Sequence, residues 1–110
     1  MRITKTQIEA LFASMQKDGL NPDQELLWGF FFTDPNKNKL EKAWDGLQGL
    51  GYSFVEIHRD EKNLYWLHVE RIERHTVASL DARNQELYKF ADQLGLESYD
   101  GMDVGTPPVR

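Results

Sequence analysis

The chain has 110 residues, 40% of them hydrophobic and 12% aromatic, with a formal net charge of −5 from 18 acidic and 13 basic side chains. This is the size and balance of one globular domain with a real core. The absence of cysteine excludes disulfides, thiolate nucleophiles and Cys-ligated zinc, and the acidic balance argues against a broad nucleic-acid footprint.

The N-terminus lacks the apolar stretch of a secretory signal, and no segment approaches the ~18 apolar residues of a membrane span. A cytoplasmic location with no membrane contact is expected. The first helix is predicted from Thr4 to Lys17, with Ile8, Leu11, Phe12 and Met15 on one face, Thr4 as N-cap and Gly19 as stop. Asn21-Pro22-Asp23 marks a turn. Residues 25–33 then read as an aromatic strand, with Trp28, Phe30 and Phe32 on one face and Leu27 and Phe31 on the other. Continuous apolarity predicts that both faces are covered, one by the long helices and one by the N-terminal helix.

Asp34 is predicted to cap a second helix, with Pro35 at its first position. Leu40, Ala43, Trp44, Leu47 and Leu50 line its inner face, and Gly51 ends it. Lys37, Lys39 and Lys42, with Glu41 among them, read as a solvated helix face. Two strands follow, 52–58 and 64–72, joined as a hairpin. A third helix is capped by Thr76 and closed by Gly95, with Val77, Leu80, Leu87, Ala91 and Leu94 inside. Asn84 falls on that apolar stripe and calls for a hydrogen-bond partner. His75, just before the helix, reads as a neutral capping or linker residue. A last strand runs from about Glu97 to Gly105.

Without the first helix the order is β-α-β-β-α-β. This predicts an α+β, ferredoxin-like sandwich with a four-stranded antiparallel sheet and an extra N-terminal helix. Residues 1–19 form that added helix, 20–105 the domain proper and 106–110 a loose tail.

Apolar pairing in the hairpin predicts Val55 opposite Leu67 and Ile57 opposite Tyr65 on the helix side. The other side then carries Phe54, Glu56 and His58 beside Trp66, His68 and Glu70. Imidazoles and carboxylates on one open face suit a metal or a proton relay. The spacing alone fits equally a half-solvated strand pair with cross-strand polar contacts, and no catalytic residue, metal or cofactor is assigned. Stacking aromatics suit an RNA-binding sheet, but the interleaved Arg and Lys such a sheet uses are missing. An exposed apolar patch for a protein partner, or for a second copy in a homodimer, is the remaining reading.

Trp28 to Phe32, Leu50-Gly51-Tyr52 and Tyr99-Asp100-Gly101 occur in the order and spacing of a known family. Over residues 20 to 107 the chain resembles the ribonuclease E inhibitor family, the regulators of ribonuclease activity B. Met102 stands where relatives often carry Trp, and the acidic tail of the best-known members has no counterpart before Arg110. The resemblance implies a ferredoxin-like domain that binds the scaffold region of an endoribonuclease of the E type and restrains RNA decay without chemistry of its own. The expected partner-binding residues are Glu56, His58, Trp66, His68, Glu70, Tyr99, Asp100 and Met102.

Overall fold

A computed structural model describes residues 2–108. Val109 and Arg110, at the end of the expected tail, lie outside the described residues. The elements are α1 (Lys5–Lys17), β1 (Leu26–Asp34), α2 (Lys37–Gly49), β2 (Ser53–Arg59), β3 (Tyr65–Glu73), α3 (Val77–Leu94) and β4 (Ser98–Gly105). The strands lie in the order β2-β3-β1-β4, every neighbouring pair antiparallel. Each half of the β-α-β-β-α-β unit is a split βαβ, with the strand of the other half inserted between its two strands. No helix among the described residues is long and apolar enough to cross a membrane.

Local chemistry sets the helix ends. Thr4 and Thr76 each form a reciprocal capping box, with Gln7 and Ser79. Gly95 closes α3 at φ 66°, a left-handed conformation that glycine adopts without strain. Asp34, expected as the cap of α2, is instead the last residue of β1, and Asn36 caps the helix. Asp34 is buried because its carboxylate is used elsewhere: Oδ1 accepts from the Glu97 backbone N–H at 2.9 Å and Oδ2 from that of Asn36 at 2.8 Å. It thereby ties the end of β1 to the entry of β4.

The core lies on one side of the sheet. Leu26, Trp28, Phe30 and Phe32 of β1, with Leu67 and Val69 of β3, are buried against Leu40, Ala43 and Leu47 of α2 and Leu80, Leu87 and Ala91 of α3. Each buried leucine, valine or phenylalanine among them contributes about 1.5–3 kcal/mol by leaving water. Helix α1 joins this same layer. It packs along α3, buries Ile8 and Met15, and stacks Phe12 on Trp28 at 6.2 Å. The expectation that it covers the opposite face is therefore corrected. Trp28 is the largest apolar side chain on the helix side of β1, and the apolar stripe of α1 meets it there through Phe12. Leu50 and Leu94, placed on inner faces by periodicity, sit at helix ends and are exposed.

Asn84 is fully buried, and its Oδ1 accepts a 2.6 Å hydrogen bond from the Tyr99 hydroxyl. A second polar knot joins the end of β3 to the start of α3. Glu73 receives two hydrogen bonds from Arg83, at 2.8 and 3.2 Å, and contacts His75 Nε2 at 2.6 Å; His75 Nδ1 meets Ser79 Oγ at 2.9 Å. Burial pushes the Glu73 carboxyl up, but the hydrogen bonds from His75 and Arg83 outweigh it and hold the group below its ordinary value. His75 is thus a buried ring braced between strand and helix.

The sign of that shift gives a pH dependence. A depressed carboxyl stabilises the fold fully above its unfolded value, ~4.3, and the contribution is lost as pH falls through the folded value. Glu73→Gln is expected to destabilise the protein at pH 7 by on the order of 3 kcal/mol, because Arg83 loses its counter-charge. Thermal melts of the two proteins should converge on acidification below about pH 4. A gap that stays constant from pH 7 to pH 3 contradicts this.

Candidate functional site

The face opposite the helices is built in cross-strand rows. His58, Trp66, Thr33 and Ser98 form one row; Glu56, His68, Phe31 and Gly101 the next; then Ser53, Glu70, Gly29 and Asp103; and finally Ile72, Leu27 and Gly105. Leu27, Phe31, Trp66, His68 and Glu70 are half-buried, whereas Glu56, His58 and Asp103 are exposed. Ile72 is 47% exposed.

The hairpin register differs from expectation. Ile57 faces Leu67, His58 faces Trp66 and Glu56 faces His68. The hairpin is longer than predicted, since Arg59 still pairs with Tyr65. Asp60 sets this turn: its Oδ1 accepts the backbone N–H groups of Lys62 and Leu64 at 2.8 and 3.0 Å. Its Oδ2 accepts the Trp66 indole N–H at 2.9 Å. These bonds, the indole's first, hold the Asp60 carboxyl below its usual range.

A bulge at Val55 then shifts the pairing by one residue, so that Phe54 faces Val69. Phe54, expected on the open face, lies on the helix side and packs on Trp44 at 5.4 Å. The bulge turns a strand with too many consecutive apolar residues so that Phe54 meets a helix aromatic. Val55, expected opposite Leu67, is left without a cross-strand partner.

Two flat stacks define the first two rows of the face. His58 lies parallel to Trp66, with centroids 6.3 Å apart and planes within 6°. Phe31 lies against His68 at 4.3 Å and 22°. The His58 ring also meets Glu56 Oε1 at 3.0 Å, both side chains being about half exposed. Glu56, His58, His68 and Glu70 do not converge on one point. Among the described residues, no three His, Asp or Glu groups are placed to hold a metal ion.

The C-terminal candidates divide. Tyr99 is 4% exposed and belongs to the core, where it bonds Asn84, so it offers no surface. Burial pushes its hydroxyl far up. Met102 pairs with Phe30 on the helix side, and its sulfur lies 3.8 Å from the Tyr99 hydroxyl. It also borders an open hollow lined by Phe31, His58, Asp60, Trp66 and Asp100. Asp100 is the unopposed residue of a second bulge, where pairing with β1 jumps from Gly101 to Tyr99. Partial desolvation raises its carboxyl. Sequence reasoning placed Leu27 and Phe31 on this side of β1, though under the N-terminal helix, and missed Gly29, Asp60, Ile72 and Asp103 as parts of the face. A lone glycine inside an apolar strand is a signal of close approach, and Gly29 carried it.

Asp60→Ala removes the acceptor that fixes Trp66. The indole proton is then expected to exchange with solvent about an order of magnitude faster by NMR, as loss of one charge-assisted bond implies. Unchanged exchange would show that stacking on His58 alone fixes the ring.

No curated protein matches the chain. Residues 5–104 match the family model described as RraB, Regulator of ribonuclease activity B. The matched stretch begins at the first residue of α1, so the N-terminal helix is part of the family unit. It covers nearly the whole chain, with the helix layer, the sheet and the open face together, and the chain belongs to the regulator of ribonuclease activity B family.

Proposed function

We propose that this protein regulates ribonuclease activity by binding a protein partner through the open face of its sheet, with no reaction of its own. The observation that carries this reading is the uncovered face itself. Its first two rows present Trp66, His58, Phe31 and His68 as two flat stacks, and its last row, beyond Glu70 and Asp103, presents Leu27 and Ile72. Aromatic and aliphatic surface set in a polar rim is the make-up of a protein-binding patch.

The sheet edges support the face over the edges as the docking surface. The outer strands are β2 and β4, and both are interrupted by bulges, at Val55 and at Asp100. A bulged edge is a poor template for an added strand. Charge narrows the choice further. Glu56, Glu70 and Asp103 lie in the rows, Asp60 and Asp100 flank the hollow beside Trp66, and no Lys or Arg occupies any row position. Five carboxylates repel a phosphate backbone, and they equally repel a second copy docking face to face. A homodimer through this face is therefore disfavoured.

On this reading the partner is an endoribonuclease of the E type, met in the cytoplasm, and membership of a family of ribonuclease regulators supports a ribonuclease as partner. The test is RNA cleavage by the purified endoribonuclease with and without this protein, together with the affinity of the pair. The wild type is expected to slow cleavage. Trp66→Ala is expected to weaken the complex at least ~tenfold, the cost of a central aromatic anchor, while leaving the fold intact. Cleavage slowed equally by the Trp66→Ala variant would remove the face from the account. Absence of any complex would remove the partner.

A further inference from the structure

Resting on that reading, we infer that the segment ahead of α1 completes the docking face. Ile3 walls the hollow beside Trp66, and the hollow takes an aromatic side chain of the partner with a basic residue next to it.

The segment is tied down on the helix side of the sheet. The Ile3 backbone N–H donates to the Tyr88 hydroxyl of α3 at 2.7 Å. Arg2 Nη2 donates to Asp92 Oδ2 at 2.7 Å, and its guanidinium lies over the Tyr88 ring, 4.5 Å from the centroid. An exposed ion pair holds little by itself, but here it acts on the residue next to the buried hydrogen bond. The Ile3 side chain goes the other way. It reaches the hollow that Phe31 and Trp66 line on the open face. On that side β4 is the outer strand, so the segment passes round its edge. Gly101 of β4 makes room for it. A Cβ there would stand 3.5 Å from Ile3 Cδ1, and the φ of 133° is one that only glycine adopts freely.

The hollow measures about 610 Å³. That is within the ~300–1,000 Å³ of small-ligand sites. Ile3, Phe31, Trp66 and Met102 give it apolar walls, and Asp60 and Asp100 stand at its rim. None of the described residues that line it is a lysine or an arginine. Trp66 does not swing in to fill it, because Asp60 holds the indole N–H at 2.9 Å. Ile3 is held from the opposite side by Tyr88. The space therefore stays open between two side chains that are each fixed from outside it. Phe31 and Trp66 favour an aromatic guest, through edge-to-face and offset contacts. An acidic rim with no basic residue favours a cation beside that guest. Aromatic side chains seated in pockets are the anchors that dominate protein interfaces.

The test titrates the full-length protein with tryptamine, an indole that carries an ammonium group, and reads the binding by NMR. Tryptamine is expected to shift the Ile3 methyls and the Trp66 indole N–H together. Indole-3-acetate has the ring with a carboxylate, and is expected to bind about fivefold more weakly or worse. Ile3→Ala should weaken tryptamine about fivefold, through loss of apolar contact at the wall. Tyr88→Phe keeps the ring and removes the acceptor on the far side of the sheet. It should weaken tryptamine about threefold and speed exchange of the Ile3 amide, effects that a residue serving only the core would not produce. If that variant fails to fold, the wild-type shifts and Ile3→Ala carry the test. Ile3 methyls unmoved by tryptamine, wild-type affinity in Ile3→Ala, or indole-3-acetate bound as tightly as tryptamine overturns the inference. None of these readouts needs the ribonuclease. If they hold while no complex with the endoribonuclease forms, the hollow and its wall stand and the partner falls. If they fail while Trp66→Ala still abolishes restraint of cleavage, the proposed function stands and the Ile3 wall alone falls.

Discussion

Burial of Leu26, Trp28, Phe30 and Phe32 on one side of β1 is the constraint from which the other features follow. Strand side chains alternate, so these four residues commit a single face to the helices. Three amphipathic helices compete for that face, and all three find it: α2 and α3 cover its length while α1 packs along α3 and reaches Trp28 through Phe12. Among the described residues no helix or strand covers Leu27, Phe31 and their row partners, and Ile3, ahead of α1, reaches only the margin of the face beside Gly101. The open face is thus a consequence of the same apolar area that stabilises the domain.

What the open face contains is set by local polar contacts. Asp60 closes the hairpin and holds the Trp66 indole, which places the ring parallel to His58. Gly29 permits Asp103 and His68 to lean inward over the middle of the sheet. The Glu73–Arg83–His75 knot, on the far side, fixes the end of β3 against α3 without touching the face. Stability and the make-up of the open face are therefore carried by separate polar groups. Substitutions on the open face can alter that surface while the core keeps the fold.

Much of the architecture was legible in the sequence. The stripe of Ile8, Leu11, Phe12 and Met15, the Thr4 and Thr76 caps and the Gly95 stop place α1 and α3 almost to the residue. The element order gave the antiparallel sheet. The demand of Asn84 for a partner was visible too, and Tyr99 meets it. What escaped depended on contacts between residues distant in sequence. Asp34-Pro35 has the form of a helix start, but the Asp34 carboxylate is used by Glu97, 63 residues away. The Val55 bulge answers to Trp44 on another element, and no period within the strand reports it. The side on which α1 packs was hidden for the same reason, since an amphipathic stripe says that it is buried and not against what. Of the candidate site, Glu56, His58, Trp66, His68 and Glu70 do share one face, whereas Tyr99 was drawn in by its motif and belongs to the core.

The central claim is that the side of the sheet left bare by the helices is where a partner docks. Cross-saturation NMR on the complex with the endoribonuclease reads that contact directly. Saturation should reach the Trp66 indole, the Ile72 methyls and the Phe31 ring, and should spare the outward faces of α1 and α2. Transfer concentrated on the helix layer, with Trp66 and Ile72 silent, would contradict the account.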